Sequence, residues 1–230
     1  MATLTGPASP IVGGVQINFP GYLCTLGFNA RDGNQDSFIT NSHCTTKQGG
    51  VESTPYYQPL QSSHPTVIGV EVEDPQYSKS LPGCPRSKLC RYSDAARVRY
   101  NSGINFDLGK IATPTGPASL TYNGSWSIYD KGPVTQGQTV SKVGRTTGLS
   151  TGTVTNTDVL TGVQGTRFAQ IGQFFVSAAV GSGDSGSPVI RESGGNVYLV
   201  GILWGGSGST TFVGSPIANI EAELGTLTVK

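Results

Sequence analysis

At 230 residues and 36% hydrophobic content, the chain can bury a substantial core as one large or two small domains, which excludes an intrinsically disordered protein. Charged residues make up only 13%, and 15 basic against 14 acidic residues leave a net charge of +1, which excludes an electrostatic binder of nucleic acid. Thirty-three glycines and 14 prolines point to a turn-dense β protein and exclude a helical bundle.

Apolar-alternating runs follow one another along the chain. Strands are expected at 15–19, 22–28, 37–40, 67–72 and 95–100, and again at 139–143, 152–156, 167–171, 187–190 and 197–202. Turn clusters separate them, among them Arg31-Asp32-Gly33-Asn34 and Ser193-Gly194-Gly195-Asn196. The segment 216–224 reads as an amphipathic helix, with Ser215 as its cap and Pro216 in first position. A Pro/Gly/Thr/Ser-rich stretch at 113–124 divides the strands into comparable halves, residues 1–115 and 116–230. The expectation is an all-β fold of two packed antiparallel barrels with a C-terminal helix. No run of eighteen apolar residues occurs, so no membrane partner is expected, and nothing after Met1 reads as a basic and then apolar leader.

The four cysteines lie in two close pairs and form no CxxC metal motif. Their even number and clustering favour bridges Cys24–Cys44 and Cys84–Cys90, and with them an oxidising, extracellular compartment. Free thiols are the alternative. No metal or cofactor is expected. Asn123-Gly124-Ser125 is a glycosylation sequon, read here as a plain surface turn.

The segment Gly181-Ser182-Gly183-Asp184-Ser185-Gly186-Ser187-Pro188 suits a tight turn that projects the Ser185 hydroxyl, with backbone amides free to converge on a developing oxyanion. A serine nucleophile needs a base, and the chain has two histidines. His43 follows an apolar strand and precedes Cys44, whereas His64 lies in the polar loop Ser62-Ser63-His64-Pro65, so His43 is the expected base. Two acids could orient it. Asp94 heads a strand and is followed by Ala95 and Ala96; Asp107 lies between Phe106 and Leu108. Asp94 is preferred because small neighbours permit burial behind the imidazole.

Ile39-Thr40-Asn41-Ser42-His43-Cys44, followed much later by Gly183-Asp184-Ser185-Gly186-Ser187-Pro188, resembles the trypsin/chymotrypsin-like serine peptidases, most nearly secreted bacterial members such as streptogrisin and α-lytic protease. The resemblance runs from about Val12 to Leu224. It implies two six-stranded barrels, the first (1–115) carrying His43 and Asp94 and the second (116–230) carrying Ser185. It further implies an oxyanion hole at Gly183 and Ser185, a primary pocket floored by Ala179 and followed by Val180, and a substrate-pairing strand Leu203-Trp204-Gly205-Gly206. Where the family shows Ser-Trp-Gly this chain has Leu203-Trp204-Gly205, so no serine hydroxyl from that strand helps orient the acid. Ile11-Val12-Gly13-Gly14 looks like the terminus freed in zymogen activation, but Pro10 makes a poor cleavage site, and the Asp184 region is expected to be stabilised otherwise. No acid lies at the pocket floor and no histidine near Thr210-Thr211-Phe212, which leaves a hydrophobic P1 preference. The expected function is a secreted, monomeric serine endopeptidase acting on protein or peptide substrates. The alternatives are a silent protein-binding module of the same fold or an esterase.

Overall fold

The computed structural model describes residues 1–162 and 165–230. Period-two burial builds its sheets: in Asn196–Ser207, for example, alternation and then continuous burial mark a strand covered on both faces. Six strands of the second half pair antiparallel in a closed ring. In ring order they are Thr139–Gly144, Gly148–Gly162, Phe168–Ser177, Thr211–Pro216, Asn196–Ser207 and Pro188–Ser193, the last pairing back to the first. Val140, Val154, Phe174, Val176, Val189, Val200, Leu203 and Phe212 fill its interior. Closure removes the exposed edges that an open sheet would present. The Ser193–Asn196 turn cluster behaves as expected, because Gly194 and Gly195 both take positive φ (58° and 78°) and make a two-residue hairpin loop.

In the first half the pairing gives an open five-stranded sheet: Phe28–Asp32, Gln35–Asn41, Ala95–Tyr100, Gly69–Glu73 and Pro55–Tyr56. Beside it lies the ribbon Gln16–Phe19 with Tyr22–Thr25. A second cluster of buried side chains, including Val15, Leu26, Phe28, Phe38, Tyr56 and Val98, packs between them.

Four expectations change in the folded chain. The run 22–28 divides into Tyr22–Thr25 and Phe28–Asp32, because Leu26 N–H donates to Val15 and Gly27 N–H to Ile39 rather than continuing one ladder. Half of the stretch 113–124 is strand: residues 113–114 end Phe106–Pro114 and 121–124 begin Thr121–Lys131, which pair as an antiparallel hairpin with 115–120 as its loop. The expected division after residue 115 thus falls in that hairpin's loop, and Thr121–Lys131 also pairs with Asn196–Ser207. The sequon residues 123–125 are strand residues at a register shift, Gly124 having φ 89°, rather than a turn. The expected helix forms over Ile217–Leu224, one residue later than read, with Pro216 extended at its cap position rather than first in the helix, and Ser215 does not cap it. Its hydroxyl turns inward, donating to Gln173 Oε1 (2.8 Å) and accepting from Asp94 N–H (3.1 Å), since buried polar groups need partners more than a helix start near solvent does.

Candidate active site

The strand Gln35–Asn41 ends in a single 3-10 turn, Ser42–Cys44, that carries His43. Its antiparallel partner Ala95–Tyr100 places Ala95 opposite Asn41, so Asp94 arrives beside the turn. Asn41 Nδ2 (2.8 Å) and Ser42 N–H (3.1 Å) both donate to the Asp94 carbonyl and hold that approach. His43 Nδ1 hydrogen-bonds Asp94 Oδ2. A carboxylate only accepts, so Nδ1 carries the proton and Nε2 keeps its lone pair. The Asp94 side chain is fully buried and that of His43 is 31% exposed. Burial pulls the His43 pKa down, but the Asp94 charge and hydrogen bond together outweigh it and hold it above the usual 6.5.

The remaining oxygen, Asp94 Oδ1, accepts from Gln48 Nε2 at 3.1 Å. Behind it, buried Arg91 bonds Asp74 (2.6 Å) and Glu223 (3.1 Å). Glu223 reaches from the C-terminal helix to accept from Tyr92 N–H (2.6 Å) and Ser93 Oγ (2.6 Å), which anchors the residues leading into Asp94. Asp107 lies elsewhere. It sits half-buried on Phe106–Pro114, with its carbonyl held by Asn29 Nδ2 at 2.8 Å. His64 is exposed and contacts Ser63 Oγ at 3.0 Å.

Ser185 lies in a turn whose flanking glycines both take positive φ, 96° at Gly183 and 91° at Gly186. A β-carbon on Gly186 would also collide with the Thr25 carbonyl oxygen, so no other residue fits. Thr25 closes on this turn from the first half: its N–H donates to Ser185 O (2.8 Å) and its hydroxyl to Gly183 O (2.9 Å). The neighbouring Cys24 is bridged to Cys44, directly after His43. Two adjacent residues thus tie the histidine turn and the serine turn together. The second expected bridge, Cys84–Cys90, is also formed. Among the described residues the amides of Gly183 and Ser185 donate to no protein acceptor.

Asp184 points away from the cleft into the core. Its carboxylate accepts from Lys142 Nζ (3.0 Å), Thr147 Oγ1 (2.7 Å) and the N–H groups of Thr146 (2.9 Å), Thr147 (3.2 Å) and Gly181 (3.0 Å). Burial raises its pKa, yet Lys142 and these donors prevail and hold it below the ordinary carboxylate value. Ile11 is meanwhile a buried strand residue paired beside Phe106, far from the role of a freed terminus. Lys142 escaped the motif reading, although the strand alternation placed it on the face of Val140, where a lysine must find a buried partner. Gln48 and Thr25 carried no sequence signal.

Next to Ser185 is a cavity of about 200 Å³ lined by Val180, Gly181, Ser182, Leu203, Gly205, Gly206 and Gly208. Gly205 and Gly206 also border a second cavity, of about 500 Å³, that contains His43, Gln48, Phe175, Trp204 and Val213. Of the expected substrate-binding residues, Val180, Leu203, Trp204, Gly205 and Gly206 line these two cavities. Ala179 does not. It is exposed, because alternation turns Ala178 and Val180 inward and Ala179 out.

No family model matches the chain. It is 29% identical over 208 residues to glutamyl endopeptidase 2 of Streptomyces griseus, covering 90% of this chain and 91% of that protein. It is also 29% identical over 191 residues to serine protease 2 of Streptomyces fradiae, covering 82% and 90%. The solved structure of a glutamic-acid-specific serine protease, which uses a histidine triad in substrate binding, superposes with a TM-score of 0.72 at 24% identity over 96% of this chain and all of that one. Over most of its length the chain is thus similar in sequence to serine proteases of Streptomyces and in fold to a bacterial chymotrypsin-like serine protease.

Proposed function

We propose that Ser185, His43 and Asp94 form the catalytic triad of a serine endopeptidase that works through an acyl-enzyme. Ser185 Oγ attacks the scissile carbonyl while His43 Nε2 takes its proton; His43 then returns the proton to the leaving amine. Asp94 holds the required tautomer and stabilises the imidazolium. The amides of Gly183 and Ser185 receive the oxyanion, each such donor being worth about 10²–10³ in rate. Water then hydrolyses the ester by the same groups in reverse. Residues 1–115 supply base and acid, and residues 116–230 the nucleophile and substrate cleft. The observation that carries this reading is the Cys24-Thr25 link, which joins the His43–Asp94 pair to the Ser185 turn.

An uncharged, hydrophobic P1 residue suits the 200 Å³ cavity, to which, among the described residues, only Val180 and Leu203 contribute side chains beyond serine. Two of the relatives are glutamate-selective by name, and one binds substrate through three histidines. This chain has two histidines in all, and His43 is the base, so that recognition device has no counterpart. The substrate is a protein or peptide met outside the cell by a monomeric enzyme, in keeping with the two disulfides.

A fluorophosphonate probe tests the nucleophile: it should label the protein and fail to label Ser185→Ala. A panel of peptides varied at P1 tests the pocket, with Leu or Phe cleaved faster than Glu or Lys. Undiminished labelling of Ser185→Ala would overturn the triad, and preferential cleavage after Glu would overturn the pocket reading.

A further inference from the structure

Asp94 is fully buried, and a buried carboxylate needs its oxygens satisfied. Among the described residues its carboxylate has two donors: His43 Nδ1 on Oδ2 and Gln48 Nε2 on Oδ1. Without the second, Oδ1 would be left unpaired and the carboxylate free to rotate away from the imidazole. Gln48 is itself held. Its other Nε2 hydrogen reaches Tyr77 Oη at 2.8 Å, so both amide protons are committed and the amide orientation is set. Tyr77 is anchored in turn by Gln170 Nε2 (2.8 Å) and by stacking on Phe168, with ring centroids 4.2 Å apart. Gln170 is buried on the strand Phe168–Ser177, so the chain of contacts runs from the second half of the protein back to Asp94.

We propose that Gln48, clamped by Tyr77, is a positioning residue that fixes the Asp94 carboxylate and tunes the basicity of His43. The inference rests on the triad reading above. A donor on Oδ1 draws carboxylate charge away from the imidazole, so its removal strengthens the hold of Asp94 on the imidazolium and shifts the base upward. Reversing the dipole by placing an acceptor there does so further.

Other ionisable groups face this cluster. Asp74 accepts from Ser42 Oγ (2.9 Å) and Gly49 N–H (2.9 Å), on either side of the loop. Arg91 pairs with Asp74, Glu223 lies behind Ser93, and Lys47 pairs with Glu52 (3.3 Å) at the loop surface. Burial lifts Asp74 to about 6 against the pull of Arg91. It is present in every variant, and the readout is therefore the difference between variants.

The test is the pH profile of kcat/KM for the parent, Gln48→Glu, Gln48→Met and Tyr77→Phe. Gln48→Glu should raise the acidic limb by about one pH unit or more, and Gln48→Met by a smaller step in the same direction. Tyr77→Phe removes the clamp without touching the substrate cleft; it should raise the limb slightly and lower kcat about threefold to tenfold with KM unchanged. Gln48→Met and Tyr77→Phe keep the test decisive should Gln48→Glu not fold. Variants whose limb coincides with the parent's would overturn the positioning role, as would an effect confined to KM. Fluorophosphonate labelling runs alongside. Labelling at Ser185 with unmoved limbs sinks the role of Gln48 alone, whereas a parent that does not label at Ser185 sinks the triad and this inference with it.

Discussion

Replacing Lys142 by Met should strand a buried charge. Both Lys142 and Asp184 have fully buried side chains, and the ion pair is 3.0 Å. Four other donors would still hold the Asp184 carboxylate, but none carries a charge. Breaking one side of such a pair costs about 3–5 kcal/mol. Protonation sets a ceiling: neutralising an aspartate of unfolded pKa near 3.9 costs about 1.36 kcal/mol per pH unit, or about 4 kcal/mol at pH 7 and about 1.5 kcal/mol at pH 5. The penalty should therefore shrink by up to about 2.7 kcal/mol between these pH values. Urea unfolding of Lys142→Met against its parent, both in a Ser185→Ala background to prevent self-digestion, measures this at each pH. Because Asp184 shapes the turn that presents Ser185, the active-serine form of Lys142→Met should also lose turnover. A variant as stable as its parent at pH 7, or a penalty unchanged at pH 5, would refute the view that the pair is a charge-compensating brace.

With His43 as the proposed base, which must be neutral to accept the serine proton, and Asp94 holding the His43 pKa above 6.5, the acidic limb of kcat/KM should have its midpoint above pH 6.5; a midpoint below that value contradicts the electrostatic reading. The same shift makes protonated His43 favour the fold, a contribution fully present below pH 6.5 and lost as pH rises through the folded value, readable as the difference in unfolding between parent and His43→Ala. Asp94→Asn should keep the fold and lower turnover about 10⁴-fold near neutral pH, the penalty for a wrong tautomer, while Asp107→Asn should change it less than about tenfold. Steady-state assays of both variants decide between the two acids.

Much of this protein is written in its local sequence. Alternation and paired turn glycines mark strands such as Pro188–Ser193 and Asn196–Ser207 because side-chain direction and φ are properties of neighbouring residues. The glycine-flanked Ser185 and the scarcity of histidine narrow the chemistry, and the short spacing of the cysteines suggests which should pair. Tertiary structure decided the rest. That Lys142 meets Asp184, that Gln48 rather than a residue of the Leu203 strand holds Asp94, and that Ser215 serves Asp94 instead of its helix depend on residues brought together across 42, 46 and 121 positions. The orientation of Ala179 and the hairpin within 113–124 likewise follow from how strands register against partners remote in the chain. Periodicity says that a side chain faces inward. Which buried group it meets there is set by sheet register and ring closure, and those are fixed by the packing of the whole molecule.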